Sequence, residues 1–266
     1  MSNTTRQNHE IDYKIFGNDL QYVEIELDPQ ETAVAESGAM MMMEENISMQ
    51  TIFGDGAEQP KGFLGKLVSA GKRVLTGESL FMTAFTNDGA GKKRISFAAP
   101  YTGKIIPIDL QQLGGTVIVQ KDAFLCAAKG VSIGIFFQKR LGVGIFGGEG
   151  FIMEKLEGDG MVFLHAGGYI IERELQPGEI LKIDTGCIVG YTPGVQFDIE
   201  FVRGVKNFMF GGEGLYFARL QGPGKVWIQS LPISRLASRL VAYGTYHRKE
   251  EGSVLGGLGN LFDGKE

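Results

Sequence analysis

Cysteine is almost missing from this chain: among 266 residues there are two, Cys126 and Cys187. A disulfide-stapled secreted fold is therefore excluded. Both residues sit in apolar, strand-like runs and read as buried free thiols suited to a reducing compartment. Histidine is nearly as scarce, with His9, His165 and His247 the whole supply. No two of them have metal-ligand spacing, which argues against a metal enzyme of the cupin kind. His165, beside Ala166-Gly167-Gly168, is the one to watch, with a structural or solvent-facing role expected. There is no G-x-S-x-G elbow, so an acyl-transfer nucleophile has no anchor. Long apolar runs are absent too, since nothing approaches the ~20 residues of a spanning helix. Residues 1–12 lack the apolar centre of a signal peptide. Basic charge is in deficit, 26 Lys and Arg against 31 Asp and Glu, whereas a nucleic-acid binder should carry a basic footprint. These absences lead to the expectation of a cytoplasmic protein with no catalytic residues, no metal and no cofactor.

What is abundant is glycine, 40 residues against 8 prolines, about twice the usual ~7% share. Hydrophobic residues make up 43% of the chain, enough for a substantial core. Apolar residues alternate at Val23, Ile25 and Leu27, as in a half-buried strand. Turn residues Asp28-Pro29-Gln30-Glu31 follow, then a second strand from Thr32 to Glu36. The same order returns from Gly103 to Leu110 with Thr116–Gln120, and from Tyr169 to Leu175 with Ile180–Ile183. A second phrase also returns: Leu75-Thr76-Gly77-Glu78, Phe146-Gly147-Gly148-Glu149-Gly150 and Phe210-Gly211-Gly212-Glu213-Gly214, each leading into a large apolar triplet. This periodicity predicts an all-β fold built of three internal repeats, at about 17–89, 103–160 and 167–224. Packing about a pseudo-threefold axis, in a sandwich or double-stranded β-helix-like arrangement, would bury one face of each sheet and remove most open edges. The expected layout is a disordered lead over 1–12, one β-repeat domain over 13–243, and a Gly-rich tail over 244–266.

Two segments break the β pattern. Residues 61–75 place Phe63, Leu64 and Leu67 near one helical face, with Lys66, Lys72 and Arg73 elsewhere, as a helical insertion in the first repeat. Such a helix more commonly covers a sheet edge or a subunit contact; lying on an anionic membrane surface is the weaker alternative. Residues 232–243 also have helical spacing, through Ile233, Leu236, Leu240 and Val241. The run Met40–Met43 reads as one strand with two residues inward and two outward, the outward pair facing another subunit. Gly142 to Gly147 fits G-x-G-x-x-G, but it leads into strand-like Phe151–Met153 rather than a helix and reads as a turn. Glu78, Glu149 and Glu213 occupy the same Gly-flanked bend in each repeat. They are there for the turn, or they converge near the axis as a small-molecule or cation site.

Taken together, the phrases Leu75-Thr76-Gly77-Glu78-Ser79-Leu80-Phe81, Phe146-Gly147-Gly148-Glu149-Gly150-Phe151, Leu156-Glu157-Gly158-Asp159-Gly160 and Phe210-Gly211-Gly212-Glu213-Gly214 resemble a known family. It is the bacterial family related to the yeast altered-inheritance-of-mitochondria, or mitochondrial biogenesis, protein. The resemblance covers roughly residues 15–240. It implies a cytoplasmic bacterial β-sandwich protein, similar in fold to the tryptophan RNA-binding attenuation protein, and it supplies no catalytic residues. The functional expectation is a non-enzymatic homo-oligomer that binds or scaffolds a protein partner. The alternative is a small-molecule or cation-binding protein using the repeated carboxylates.

Overall fold

A computed structural model of the chain describes residues 7–36, 38–53, 81–139, 150–202, 215–241 and 243. The first strand, β1 (Asp12–Phe16), precedes three blocks of six strands. The first block is β2 (Tyr22–Leu27), β3 (Thr32–Glu36), β4 (Met40–Met43), β5 (Ile47–Phe53), β6 (Phe81–Asn87) and β7 (Lys93–Ala98). The second is β8 (Gly103–Asp109), β9 (Thr116–Gln120), β10 (Phe124–Ala128), β11 (Ser132–Lys139), β12 (Phe151–Glu157) and β13 (Met161–Gly167). The third is β14 (Ile170–Leu175), β15 (Ile180–Asp184), β16 (Ile188–Tyr191), β17 (Gln196–Val202), β18 (Leu215–Gln221) and β19 (Gly224–Gln229). Residues 233–241 then form a helix, α1. The all-β expectation holds, and the predicted alternation is visible in β2, where Val23, Ile25 and Leu27 are all fully buried.

Within each block the pairings follow one scheme. The sixth strand pairs with the first and third, and the fifth with the second and fourth. A register shift falls at the same place in each third strand, between Met40 and Met42, Phe124 and Cys126, and Ile188 and Gly190. Each block thus makes two three-stranded halves, the two layers of a sandwich. The blocks end at Ala98, Gly167 and Gln229, later than the expected ends near 89, 160 and 224. The difference is one strand: after each Gly-rich turn the chain runs back along the first strand.

Neighbouring blocks are joined through their backbones. The second strand of one block pairs antiparallel with the third strand of the next. Ala35, Val34 and Ala33 lie opposite Cys126, Ala127 and Ala128, and Val119 and Ile118 lie opposite Gly190 and Tyr191. These two junctions make two six-stranded sheets, β5-β6-β3-β10-β13-β8 and β11-β12-β9-β16-β19-β14. The expected closure about a threefold axis does not occur among the described residues. The sheet β1-β2-β7-β4 ends at β4 and the sheet β15-β18-β17 ends at β15, so the third strand of the first block and the second strand of the third have no junction partner.

The core fills each block and runs on between blocks. One buried cluster takes Val34 and Met82 from the first block, Leu110, Val119 and Leu156 from the second, and Val189 and Trp227 from the third. A second cluster joins Val23, Ile25, Phe85 and Phe97 to Cys126 and Phe163. A third joins Phe151 and Met153 to Tyr191 and Leu220. Burying part of this surface only against a neighbour is why a single block of short, Gly-punctuated strands does not suffice.

Three expectations need correction. Residues 7–12, read as part of a disordered lead, are docked: the Asn8 N–H donates to Asp159 Oδ1 at 2.9 Å, and the Asp159 N–H donates back to Asn8 Oδ1 at 2.7 Å. Asn8 fills a niche that Gly130, Gly158 and Gly160 leave open, where an added Cβ would approach it to 2.3–2.9 Å. His9 follows, its Nδ1 accepting the Thr32 N–H at 3.0 Å. The methionine strand does not divide evenly: Met40 is partly buried, while Met41, Met42 and Met43 are 44%, 47% and 40% exposed. β4 is an edge, and its bulge breaks the alternation. Of the two cysteines only Cys126 is buried; Cys187 is half-buried beside Arg235 of α1.

The second junction depends on Gly190, whose added Cβ would stand 2.7 Å from the Ile118 carbonyl oxygen, while Gly134 in β11 meets nothing within 4 Å. Gly190→Ala should therefore destabilise the protein by about 1–3 kcal/mol, the usual scale of overpacking, and Gly134→Ala should leave thermal stability near wild type. Equal melting temperatures for the two variants would contradict the tight junction.

Candidate functional site

The carboxylates proposed from the sequence, Glu78, Glu149 and Glu213, lie outside the described residues, as do Phe63, Leu64, Lys66, Leu67, Lys72, Arg73 and His247. What the structure assembles instead is a buried polar cluster in the second block, and two sheet edges.

The cluster begins at Glu154, which follows the apolar run Phe151–Met153 on β12. It lies opposite Val119 on one side and Ile135 on the other. The residues holding the same register in the other blocks are Thr83, opposite Ala35, and Ala218, opposite Ile183. Only the second block places a carboxylate there. Glu154 is 1% exposed, and neither carboxylate oxygen has a hydrogen-bond partner. Burial raises its pKa to about 8, helped by the negative charges of Glu36 and Asp122 and opposed by Lys121. At neutral pH the group is therefore largely a protonated acid.

Asp122 connects Glu154 to the rest. It accepts the Gln120 amide at 3.0 Å, and its charge adds to burial in raising the Tyr101 pKa to about 12. The Tyr101 ring stands edge-on to His165, with centroids 4.4 Å apart and planes at 83°. His165 on β13 is buried, not solvent-facing, and neither ring nitrogen has a partner of good geometry. Burial holds its pKa down at about 4, with a small opposing effect from the Tyr101 backbone, so the imidazole is neutral. The ring fits because Gly103 has no side chain; a Cβ there would lie 2.7 Å from His165 Nε2. Beyond it, Gln229 accepts the Gly167 N–H at 2.8 Å and donates to the Gly186 carbonyl at 3.0 Å, bridging the second and third blocks.

Chemically, the cluster sets an uncharged carboxyl, imidazole and phenol beside the negative charge of Asp122. The buried Cys126 thiol is pushed well above its ordinary pKa and is no nucleophile at neutral pH. Among the described residues, no group of three or more His, Cys, Asp or Glu side chains could hold a metal ion. A more open cleft of about 310 Å³, lined by Asp12, Tyr13, Lys14, Glu24, Glu26 and Arg94, carries charges that already pair. Lys92 reaches Glu26 at 2.8 Å and Arg94 reaches Glu26 at 3.2 Å. Its walls offer a ligand little unsatisfied charge.

The other feature is the pair of edges. Along β4 three methionines face solvent. Along β15, Ile180 is 50% exposed and the Lys182 side chain 52%, with its ammonium held by Glu200. An unpaired strand edge is a row of free backbone donors and acceptors.

Comparison with known proteins decides the lineage. Residues 13–231 match the family described as mitochondrial biogenesis AIM24. The chain belongs to that family. It is 30% identical over 225 residues to an uncharacterised protein of Streptococcus pyogenes serotype M6, covering 83% of this chain and 86% of the relative. The crystal structure of another Streptococcus pyogenes protein superposes with a TM-score of 0.67 at 24% identity, over 88% of this chain and all of that one. That likeness supports the β-sandwich fold alone. Among the described residues of this family member, no helix is long and apolar enough to cross a membrane.

Sequence reasoning watched His165 but missed Glu154, which Lys155 and Glu157 on the same strand make look like an ordinary surface acid. The two groups oppose one another in pH dependence. Folded Glu154 keeps its proton up to about pH 8, against 4.5 for the ordinary group, so its contribution is full below 4.5 and is lost as pH rises. His165 is held at about 4 against 6.5, so its contribution is present above 6.5 and is lost as pH falls. Between 4.5 and 6.5 the two cancel. From 6.5 to 8 the Glu154 effect stands alone, at up to about 1.4 kcal/mol per pH unit. Urea midpoints should therefore fall from pH 6.5 to 8 in the wild type and stay flat in Glu154→Gln. Parallel profiles would show that Glu154 is not the group responsible.

Proposed function

We propose that this AIM24-family protein is a non-enzymatic, homo-oligomeric binding or scaffold protein of the cytoplasm. The observation that carries the reading is β4, whose outer backbone edge is unpaired among the described residues while Met41, Met42 and Met43 are all exposed. Native proteins ordinarily protect such an edge with charge, proline or a covering element. Methionine does the opposite, presenting a soft apolar surface that adapts to a partner. The burial of Glu154 and His165, each 1% exposed, supports the non-enzymatic part by keeping both out of reach of a dissolved substrate. The two free thiols suit a reducing compartment.

Native mass spectrometry of the full chain, followed by the same protein denatured, tests the reading. A defined oligomer with no retained small-molecule mass is the expected result. A monomer throughout the micromolar range would overturn it. So would a mass excess released on denaturation, which would move the reading to small-molecule or cation binding.

A further inference from the structure

The two junctions inside the chain are copies of one contact, and among the described residues each half of that contact is also left unpaired once, at β4 and at β15. Past the shared bulge, Cys126 lies opposite Ala35, and Gly190 lies opposite Val119. One residue further, Ala127 lies opposite Val34, and Tyr191 opposite Ile118. In the first block the residues holding the places of Cys126 and Ala127 are Met42 and Met43, set opposite Ser96 and Ile95 as Cys126 and Ala127 are set opposite Phe163 and Val162. In the third block the places of Val119 and Val34 fall to Ile183 and Lys182, opposite Ala218 and Arg219. Among the described residues β4 and β15 end their sheets.

We infer that β4 of one copy pairs antiparallel with β15 of a second copy, in the register of the two internal junctions, so that the copies assemble head to tail. Met42 then lies opposite Ile183 of the second copy, and Met43 opposite its Lys182. The contact would make one seven-stranded sheet, β17-β18-β15 of one chain continued by β4-β7-β2-β1 of the next. The occupant is another copy of this chain because the missing half of each edge is a strand the chain itself carries, in a register it already uses twice. The chain's own β4 and β15 are not paired with each other. The contact is heterologous, so repetition gives a ring where the rotation closes. The exposed methionines would cover apolar residues, and the two charges on β15 are already paired, Lys182 with Glu200 and Asp184 with Arg235. This inference rests on the oligomeric reading above and specifies its interface.

Charge placed across the new pair tests it, read as the concentration at which the full chain dissociates. Met43→Lys sets two ammonium groups directly opposite one another and should weaken assembly at least about fivefold. Met43→Glu faces Lys182 with a carboxylate and should assemble as tightly as wild type or tighter. Lys182→Glu added to Met43→Lys should restore assembly. Both side chains are solvent-exposed, so circular dichroism should show an unchanged fold. An oligomer unaffected by Met43→Lys, or not rescued by the double change, overturns this interface while leaving the oligomeric reading intact. A monomeric wild type overturns both. Rescue seen only as thermal stability of a monomer would mean that β4 and β15 of one chain pair with each other, and would overturn assembly between copies.

Discussion

The structure depends on one constraint: the backbone groups at the boundary of each block must find partners, and only a neighbouring block has them. The second strand of one block and the third of the next satisfy each other at β3–β10 and β9–β16. Once sealed in the middle of a six-stranded sheet, these strands are buried on both faces, and their composition follows. β3 contributes Ala33, Val34 and Ala35, and β10 contributes Leu125, Cys126, Ala127 and Ala128, all 2% exposed or less. Small side chains suit the crowded seam, and at Gly190 no side chain fits at all. The bulge repeated in every third strand turns that strand to face both its own block and the preceding one.

The same seam explains where polar groups are buried. Glu36, Gln120 and Asp184 each end the second strand of a block, where the chain turns toward the next strand. Gln120 hands a hydrogen bond to Asp122, and Asp184 accepts the Gly186 N–H at 2.8 Å. Glu154 and His165 go further, with polar atoms buried and unpartnered. Groups of this sort cost stability unless they remain uncharged, and the direction of both pKa shifts is toward the uncharged form. The N-terminal Asn8 has the opposite character. It is a buried amide whose backbone and side-chain oxygen are both bonded to the Asp159 turn, tying the start of the chain to the second block.

Much of the fold was legible. The alternation at Val23, Ile25 and Leu27, the returning turn spacings and the helical pattern after Pro232 each correspond to an element, and the Gly-Glu phrases carried the family resemblance. What could not be read was how blocks join, for a physical reason. A strand buried on both faces has no polar-apolar alternation, so Ala33–Ala35 and Cys126–Ala128 say nothing about their partners or register. The docking of Asn8 was hidden because its niche is written in three distant glycines rather than in the lead itself. Glu154 was hidden in the same way: its neighbours Glu36 and Asp122 come from other strands and turns, and no local motif announces them. The exposure of Met41 to Met43 required knowing that β4 is an edge, and a sequence gives strands before it gives sheet order.

If the seams are the foundation, they should open last and together. Native-state hydrogen exchange, resolved to peptides covering residues 32–36, 116–120, 124–128 and 188–191, measures this directly. The account predicts that all four exchange at the slowest rate in the molecule, with β3 indistinguishable from β10 and β9 from β16, because each pair shares its hydrogen bonds. Exchange of residues 32–36 well before residues 124–128 would mean that the blocks open independently and that their cores, rather than their seams, hold the protein together.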